Sequence, residues 1–247
     1  SLTAGWRRYE VRHQDGGSRD RIDEVRGDLQ TFAQGVASRH SASLVYGTVR
    51  LLIRVVLWPY LRLRAVGREN LVGDGPVILA PVHRSNLDSL LLAPLTRRRF
   101  RALAKESLFA VRPFAWFLAA LGAFPIRRGR ADRESLRAAR SLLDDGALLL
   151  VFPEGGRQTG DRVADLFDGT AYLAARAGAR VVPVGIAGSG ASMPEGARWP
   201  RPKRVRVVVG PPIQPPDPRA PRSALRAWTA TLTERLQDAQ DAAVAMR

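Results

Sequence analysis

Apolar residues follow two different patterns along the chain, and the pattern changes near residue 63. Between residues 19 and 38 they recur at spacings of three and four, which predicts an amphipathic helix. That helix is expected to pack on the rest of the protein, with a dimer contact or a membrane-surface contact as the alternatives. Residues 44–61 form the most hydrophobic window. We therefore expect an N-terminal part, residues 1–62, followed by a domain over residues 63–247.

The second domain is predicted to alternate between strands and helices. Its apolar runs predict strands over 76–81, 99–104, 147–152, 180–186 and 204–210. Its periodic segments predict helices near 86–95, 112–121, 132–144, 166–178 and 223–240. The Gly- and Pro-rich residues 187–203 are predicted as a long loop. This alternation is typical of an α/β fold with one mostly parallel central sheet flanked by helices.

Residues 44–61 are close to the length that spans a bilayer, but two arginines argue against a span. Arg50 and Arg54 would share one helix face, and each costs about 2.5–3.5 kcal/mol at a bilayer centre. Pro59 is expected to kink or end the helix. An amphipathic helix lying in the membrane interface fits better, and a buried helix with surface arginines is the alternative. Three aromatic side chains would then lie at headgroup level: Tyr46, Trp58 and Tyr60.

Composition and charge limit the class of protein and of partner. Hydrophobic residues make up 45% of the chain, which excludes a wholly disordered protein, and the absence of cysteine excludes disulfides and a cysteine nucleophile. The 39 Lys and Arg against 23 Asp and Glu give a formal net charge of +16. Such a charge favours a polyanionic partner: nucleic acid, an anionic membrane or a phosphorylated substrate. We recognise no nucleic-acid-binding motif, so no nucleic-acid partner is expected.

Among the three histidines, His83 has the position expected of a catalytic residue. It directly follows an apolar strand and precedes a predicted helix, and ligands of open α/β sheets bind beyond the carboxyl ends of strands. If a turn precedes the helix, Asp88 can face back toward His83 and fix its tautomer, leaving the other ring nitrogen to take a proton. The alternative is a structural capping box formed by Ser85 and Asp88.

Three further segments follow along the chain. Residues 122–128 end in two arginines after an apolar run. Residues 152–157 follow a strand and combine two adjacent glycines with an arginine, so backbone N–H groups and a guanidinium could bind an anion together. Pro183 lies within a predicted strand, which predicts an edge, a bulge or a pocket wall. Each segment alone is weak support for a site.

In this order, the four segments resemble the sequence blocks of the glycerophospholipid acyltransferase family, whose best-known members are 1-acylglycerol-3-phosphate acyltransferases. The blocks are a His-x4-Asp block, a Gly-x-x-Phe/Pro-x-x-Arg-like block, a Phe-Pro-Glu-Gly-Thr-Arg-like block and a Val/Ile-Pro-Val/Ile block. The resemblance covers roughly residues 63–213. Three positions depart from the family pattern: Val82 replaces the usual Asn, Arg127 an acidic residue, and Gly156 the usual Thr or Ser.

The resemblance implies transfer of a fatty acyl group from acyl-CoA or acyl-carrier protein to the free hydroxyl of 1-acylglycerol 3-phosphate. The product would be phosphatidic acid, in phospholipid biosynthesis. His83 would deprotonate the acceptor hydroxyl and Asp88 would orient His83, with direct attack on the thioester. No metal and no cofactor beyond the thioester co-substrate are expected. Glycerol 3-phosphate or a glycolipid is the alternative acceptor, and a basic nucleic-acid-binding protein is the alternative class.

The resemblance also implies which residues bind substrate. Arg128 and Arg157 would hold the phosphate, and Glu154 would order the site through backbone or arginine contacts. The full set is Lys105, Arg128, Glu154, Gly155, Gly156 and Arg157. The basic cluster at 97–101 could bind the phosphates of CoA, lipid headgroups or only water, and residues 114–121 could be a core helix or a wall of an acyl-chain channel. We expect a peripheral or monotopic enzyme at the cytoplasmic face of the cell membrane.

Overall fold

A sheet of seven strands lies at the centre of the computed structural model, which describes residues 29, 31–36, 39–71, 73–126 and 133–247. The strands are β1 (Arg64–Val66), β2 (Val77–Pro81), β3 (Phe100–Lys105), β4 (Ala123–Ile126), β5 (Leu148–Leu150), β6 (Arg180–Ala187) and β7 (Arg206–Val209). Their order across the sheet is β1-β7-β6-β2-β5-β3-β4. All neighbouring pairs are parallel except β6 and β7, which are antiparallel. The predicted mostly parallel α/β fold is confirmed.

Helices flank this sheet. They are α1 (His40–Tyr60), α2 (Asp88–Leu92), α3 (Arg112–Ala120), α4 (Arg133–Asp144), α5 (Gly169–Ala177), α6 (Ser189–Ser192) and α7 (Arg222–Ala245). Short 3-10 turns occupy Arg68–Leu71, Ala93–Leu95 and Glu106–Phe109. Of the helix predicted over residues 19–38, the described residues 29 and 31–36 are helical, and the others lie outside the described residues.

All five predicted strands are present, and β1 and β4 were not predicted. β1 is only three residues long and begins with Arg64, while β4 contains Pro125, so neither resembles an apolar strand in sequence. The predicted loop over 187–203 contains the short helix α6.

The central strands are buried on both faces, as expected for a parallel sheet covered by helices. Along β2, Val77 and Leu79 face one core cluster, whereas Ile78 and Ala80 face the other. Helix α7 packs so closely on β6 that a Cβ atom at Gly185 would clash with the Ala239 carbonyl.

Pro183 lies in a central strand and not at an edge of the sheet. Its carbonyl accepts the Gly210 N–H at 2.9 Å, just beyond the end of β7. The ladder on that side resumes at the bridge between Val181 and Ile213. The missing N–H of Pro183 therefore faces the short stretch in which the neighbouring chain leaves the ladder, consistent with the predicted bulge.

Helix α1 is continuous and contains one π-helical turn at Ile53–Leu57. The backbone N–H of Trp58 donates to the Ile53 carbonyl five residues earlier. This spacing places the two side chains on one face of the helix, and both are buried. Tyr46 is buried as well, so only Tyr60 of the three predicted headgroup aromatics is exposed. Trp58 and Leu61 join the core cluster that contains Val77 and Leu79 of β2. The N-terminal part thus shares the core of the second domain.

The opposite face of α1 is apolar and exposed. Its members are between 45% and 61% exposed: Leu44, Leu51, Leu52, Val55, Val56 and Tyr60. Arg50 donates to the Thr96 carbonyl, and Arg54 lies over the Trp58 ring at 4.9 Å, so these arginines flank the apolar face. Helix α3 is buried through Ala115, Ala119 and Ala120. Its Phe114 and Phe117 are exposed, so it is not a wholly buried core helix.

Candidate active site

The candidate site lies at the carboxyl ends of the parallel strands β2, β5 and β6. His83 follows β2 by two residues, Glu154 follows β5, and the segment 188–204 follows β6. Because β2 lies between β5 and β6, the chain segments after all three strands meet around His83. The Gln158 N–H donates to the His83 carbonyl at 2.8 Å, which fixes two of these segments together.

His83 and Asp88 are in direct contact. The distance from His83 Nδ1 to Asp88 Oδ2 is 3.1 Å. This contact occupies Nδ1, so Nε2 is the ring nitrogen available to take a proton. The His83 side chain keeps 16% of its exposure, whereas that of Asp88 is fully buried. The geometry is that of an imidazole oriented by a buried carboxylate.

A tight turn brings Asp88 back to His83. Asp88 Oδ2 also accepts the backbone N–H groups of Arg84 at 2.6 Å and Ser85 at 2.7 Å. The bond from Ser85 N–H is one half of a capping box, while the Ser85 hydroxyl donates to the Met193 carbonyl at 3.0 Å. The predicted contact of Asp88 with His83 and the alternative capping interaction with Ser85 therefore occur together, because the carboxylate that caps the turn also contacts the histidine.

Phe152 forms one wall of the site. Its ring stacks on the His83 imidazole with centroids 3.9 Å apart and planes 21° apart. The sequence places Phe152 in the motif after β5 but does not show that its ring would face the histidine.

Arg84 and Glu154 form a buried ion pair beside the histidine, with Arg84 Nη1 2.8 Å from Glu154 Oε2. Glu154 also accepts the N–H groups of His83 at 2.9 Å and Ala164 at 3.0 Å. Its carboxylate is thus occupied by an arginine and backbone groups, the kind of contact expected for it. The importance of Arg84 was missed, since an arginine next to a histidine in sequence is usually solvated.

Arg157 lies in the same loop but is partly exposed. Its Nη2 contacts Glu195 Oε1 at 2.7 Å, and the two side chains are 36% and 84% exposed. The Gly155 N–H donates to the Phe152 carbonyl at 3.0 Å and closes a turn. The expectation that this N–H would bind phosphate is therefore corrected, because the N–H is already occupied. Gly155 has φ of +69° and leaves no room for a side chain against Phe167. Open space surrounds the position that a Cβ atom of Gly156 would take. The family that the sequence resembles usually has Thr or Ser here.

Two expected binding residues are not defined by side-chain geometry. Arg128 lies outside the described residues. Lys105 ends β3, at the same edge of the sheet as His83, and the structure describes its backbone but not its side chain.

The basic cluster at 97–101 lies at the opposite edge of the sheet, at the amino end of β3. Arg98 donates to the carbonyls of Gly73, Gly75 and Gly146. Burial lowers the pKa of the Arg101 guanidinium, and Asp145 partly offsets this effect. The length of β3 therefore separates this cluster from His83, and its binding of CoA phosphates or lipid headgroups stays a prediction.

A family model described as Acyltransferase matches residues 62–187, just over half of the chain. This range holds every candidate site residue described above except Glu195 and Met193. The chain belongs to the acyltransferase family.

Several curated relatives of this acyltransferase-family chain share the same enzyme name. A 1-acyl-sn-glycerol-3-phosphate acyltransferase of Chlamydomonas reinhardtii is 36% identical over 155 residues, which cover 61% of this chain and 46% of the relative. A chloroplastic protein of Arabidopsis thaliana with the same enzyme name is 30% identical over 168 residues, which cover 66% of this chain and 47% of the relative. The chain thus spans about half the length of these relatives. A Bacillus subtilis protein of that name is 24% identical, over 72% of this chain and 88% of the relative.

The fold is also that of a solved structure. The crystal structure of the 1-acyl-sn-glycerophosphate (LPA) acyltransferase PlsC from Thermotoga maritima matches with a TM-score of 0.61 and 22% identity. The match covers 94% of this chain and 85% of the other. At this identity the match shows a shared fold.

Proposed function

We propose that this acyltransferase moves a fatty acyl group from acyl-CoA or acyl-carrier protein to the free hydroxyl of 1-acylglycerol 3-phosphate, forming phosphatidic acid. The observation that carries the proposal is the 3.1 Å contact between His83 Nδ1 and the buried Asp88 carboxylate. The name shared by the curated relatives supports the choice of acceptor.

In the proposed reaction, His83 Nε2 takes the proton of the acceptor hydroxyl as its oxygen attacks the thioester carbonyl. The new C–O bond forms and the C–S bond breaks, and the proton on His83 passes to the leaving thiolate. The carboxylate of Asp88 stabilises the imidazolium while it carries that proton. The described site holds no cysteine or other group already paired with His83 as a nucleophile, so the attack is direct.

The phosphate of the acceptor would be bound on the side of the β5 loop. Arg157 supplies a partly exposed guanidinium there, and Gly156 leaves open space where a side chain would lie. Arg128 and Lys105 would complete this binding set. The Glu154 carboxylate does not approach the phosphate, because it is occupied by Arg84 and backbone N–H groups.

Attachment to a membrane would bring the enzyme to its lipid substrate. Among the described residues, α1 is a helix long and apolar enough to cross a bilayer, and only 22% of its most apolar window is buried, so most of that window can contact lipid. The flanking arginines and the packing of Trp58 into the core favour a helix that lies in the interface. We therefore propose a peripheral or monotopic enzyme at the cytoplasmic face of the cell membrane.

The test is acyl transfer by the full chain, with each acceptor paired with each thioester donor. Lysophosphatidate, glycerol 3-phosphate and a neutral glycolipid are the acceptors, and acyl-CoA and acyl-carrier protein are the donors. We expect turnover with lysophosphatidate that His83→Ala abolishes. His40→Ala is the matched control, since His40 is exposed at the start of α1, and should leave turnover unchanged. Preferred use of another acceptor would contradict the proposed substrate, and near-normal turnover by His83→Ala would contradict the mechanism.

A further inference from the structure

Trp199 is the most exposed of the large apolar side chains in the described part of the chain, at 81%. It lies in the segment Met193–Arg204, here called the 193–204 loop. A tryptophan with nearly its whole ring in water is unusual in a soluble protein, because the ring has a large apolar area. Tryptophan is enriched where one end of the ring can be apolar and the other hydrated, at the level of lipid headgroups.

The 193–204 loop is continuous with the exposed apolar face of α1. The Tyr60 hydroxyl, at the end of that helix, donates to the Pro200 carbonyl at 3.0 Å. Pro200 directly follows Trp199, so the chain that carries the exposed indole lies close to the end of the apolar face. The end of the helix and the loop are therefore neighbours on the protein surface.

The loop carries positive charge around its tryptophan. All four of its basic side chains are exposed: Arg198, Arg201, Lys203 and Arg204. Its acidic residue, Glu195, contacts Arg157 and so contributes little negative charge to this surface. Basic residues around an interfacial aromatic are complementary to anionic lipid headgroups.

We infer that the 193–204 loop is a second membrane-contact element, in which Trp199 enters the headgroup region of an anionic leaflet and the basic side chains contact lipid phosphates. This inference extends the membrane attachment proposed for α1. An acidic protein, such as a carrier protein, would also be attracted by the charges. The exposed indole and its continuity with the apolar face of α1 favour a lipid surface.

The loop is also attached to the catalytic residues. The Ser85 hydroxyl donates to the Met193 carbonyl, and Arg157 contacts Glu195. Ser85 in turn donates its N–H to Asp88, the partner of His83. Binding of the loop to a leaflet would therefore hold the entrance of the site against the surface in which a lysolipid resides.

Fluorescence quenching by brominated lipids tests the contact of Trp199 directly. Wild type, Trp199→Phe and the control Trp228→Phe are compared on phosphatidylcholine vesicles with and without phosphatidylglycerol. Trp228 is a suitable control because its Nε1 donates to the Gln214 carbonyl, and its side chain packs against the core cluster of Ile78 and Ala80, on the other face of the sheet from Met193. We expect Trp199→Phe to remove a large part of the quenching on anionic vesicles, and Trp228→Phe to leave it unchanged.

Charge reversal tests the electrostatic part. The loop pair Arg201→Glu with Lys203→Glu is compared with Arg219→Glu and Arg222→Glu, which change the net charge equally at exposed positions near the start of α7. Since each basic residue near an anionic surface contributes roughly fivefold to affinity, the loop pair should bind anionic vesicles at least about tenfold more weakly. The control pair should change binding by less than about threefold.

Three outcomes would overturn the inference. The first is an equal loss in the two pairs, which would show a dependence on net charge alone. The second is quenching that Trp199→Phe does not alter. The third is normal vesicle binding by the loop pair with a loss of activity only toward acyl-carrier protein, which would identify an acidic protein as the partner. Turnover of detergent-dispersed lysophosphatidate tests the proposed function separately, because it needs no vesicle.

Discussion

Arg84 Nη1 contacts both carboxylate oxygens of Glu154, at 3.0 and 2.8 Å, and the two side chains are 5% and 0% exposed. Arg84 also donates to the carbonyls of Gly160 and Arg162, so a single side chain joins the turn that holds His83 to the segment that follows β5. The ion pair therefore holds the backbone of His83, since Glu154 accepts its N–H and Arg84 donates to its carbonyl.

The first prediction concerns the stability of this buried pair. Arg84→Met should lower the free energy of unfolding by about 3–5 kcal/mol, because it leaves the Glu154 carboxylate buried without its partner. The double variant Arg84→Met with Glu154→Gln should recover part of the loss, since it removes the buried charge. Urea denaturation followed by circular dichroism measures both.

Arg140→Met is the matched control for that prediction. Arg140 contacts Asp144 at 3.4 Å, but both side chains are about half exposed, so the change should be no more than about 0.5 kcal/mol. Equal losses for the exposed and the buried pair would show that the Arg84 contact adds no special stability.

The buried pair illustrates what the sequence could not show. His83 and Asp88 could be predicted as partners, because a strand end, a turn and a helix start are local features. The contact between Arg84 and Glu154 joins residues 70 apart, and it depends on β2 and β5 being neighbours in the sheet. The sequence also could not show which residues of α1 are buried, because a single π-helical turn shifts which of them share a face.

The second prediction concerns the carboxylate. Asp88→Asn should lower turnover by roughly 10²–10⁴, the range for loss of general-base assistance, because a neutral amide cannot stabilise the imidazolium. The amide oxygen can still accept the N–H groups of Arg84 and Ser85, so the turn should survive. Turnover and thermal unfolding are measured together. A variant that lost stability and activity in parallel would indicate a structural role for the carboxylate instead.

The third prediction concerns the acceptor phosphate. Arg157→Lys should lower kcat/KM for lysophosphatidate roughly ten- to hundredfold, because lysine cannot reproduce two parallel hydrogen bonds to phosphate. The same substitution at Arg128 should behave alike, and KM for the thioester donor should change far less. Steady-state kinetics with each substrate varied in turn measures this. A loss confined to the donor KM would move these arginines to the donor side of the site.

The contact between Arg157 and Glu195 leads to a fourth prediction with the opposite sign. A phosphate that binds Arg157 must compete with the Glu195 carboxylate, which lies 2.7 Å away. Glu195→Gln should therefore lower KM for the phosphorylated acceptor, by only about two- to fivefold because an exposed ion pair is weak. Added salt should reduce the difference between variant and wild type. A raised KM would mean that Glu195 holds Arg157 in its binding position.

The fifth prediction concerns the exposed apolar face of α1. Removing residues 1–62 is a poor test, because Trp58 and Leu61 belong to the core. Leu52→Ser with Val56→Ser alters only side chains that are 53% and 61% exposed, so the fold should keep its stability. In the wild type, the Leu52 and Val56 side chains would pass from water into the boundary between headgroups and acyl chains. Replacing them with serine removes this gain, so binding to vesicles should weaken at least about tenfold.

Tyr172→Ser is the control for the fifth prediction, since Tyr172 is 37% exposed on α5, which packs on the opposite face of the sheet. Sedimentation with vesicles at low and high salt separates the two contributions. Salt should weaken binding through the arginines that flank α1, while the effect of the two serines should persist at high salt because apolar burial is not screened. Unchanged sedimentation of the serine variant at both salt concentrations would mean that α1 does not face the lipid, and the attachment would have to be sought in the charged surfaces alone.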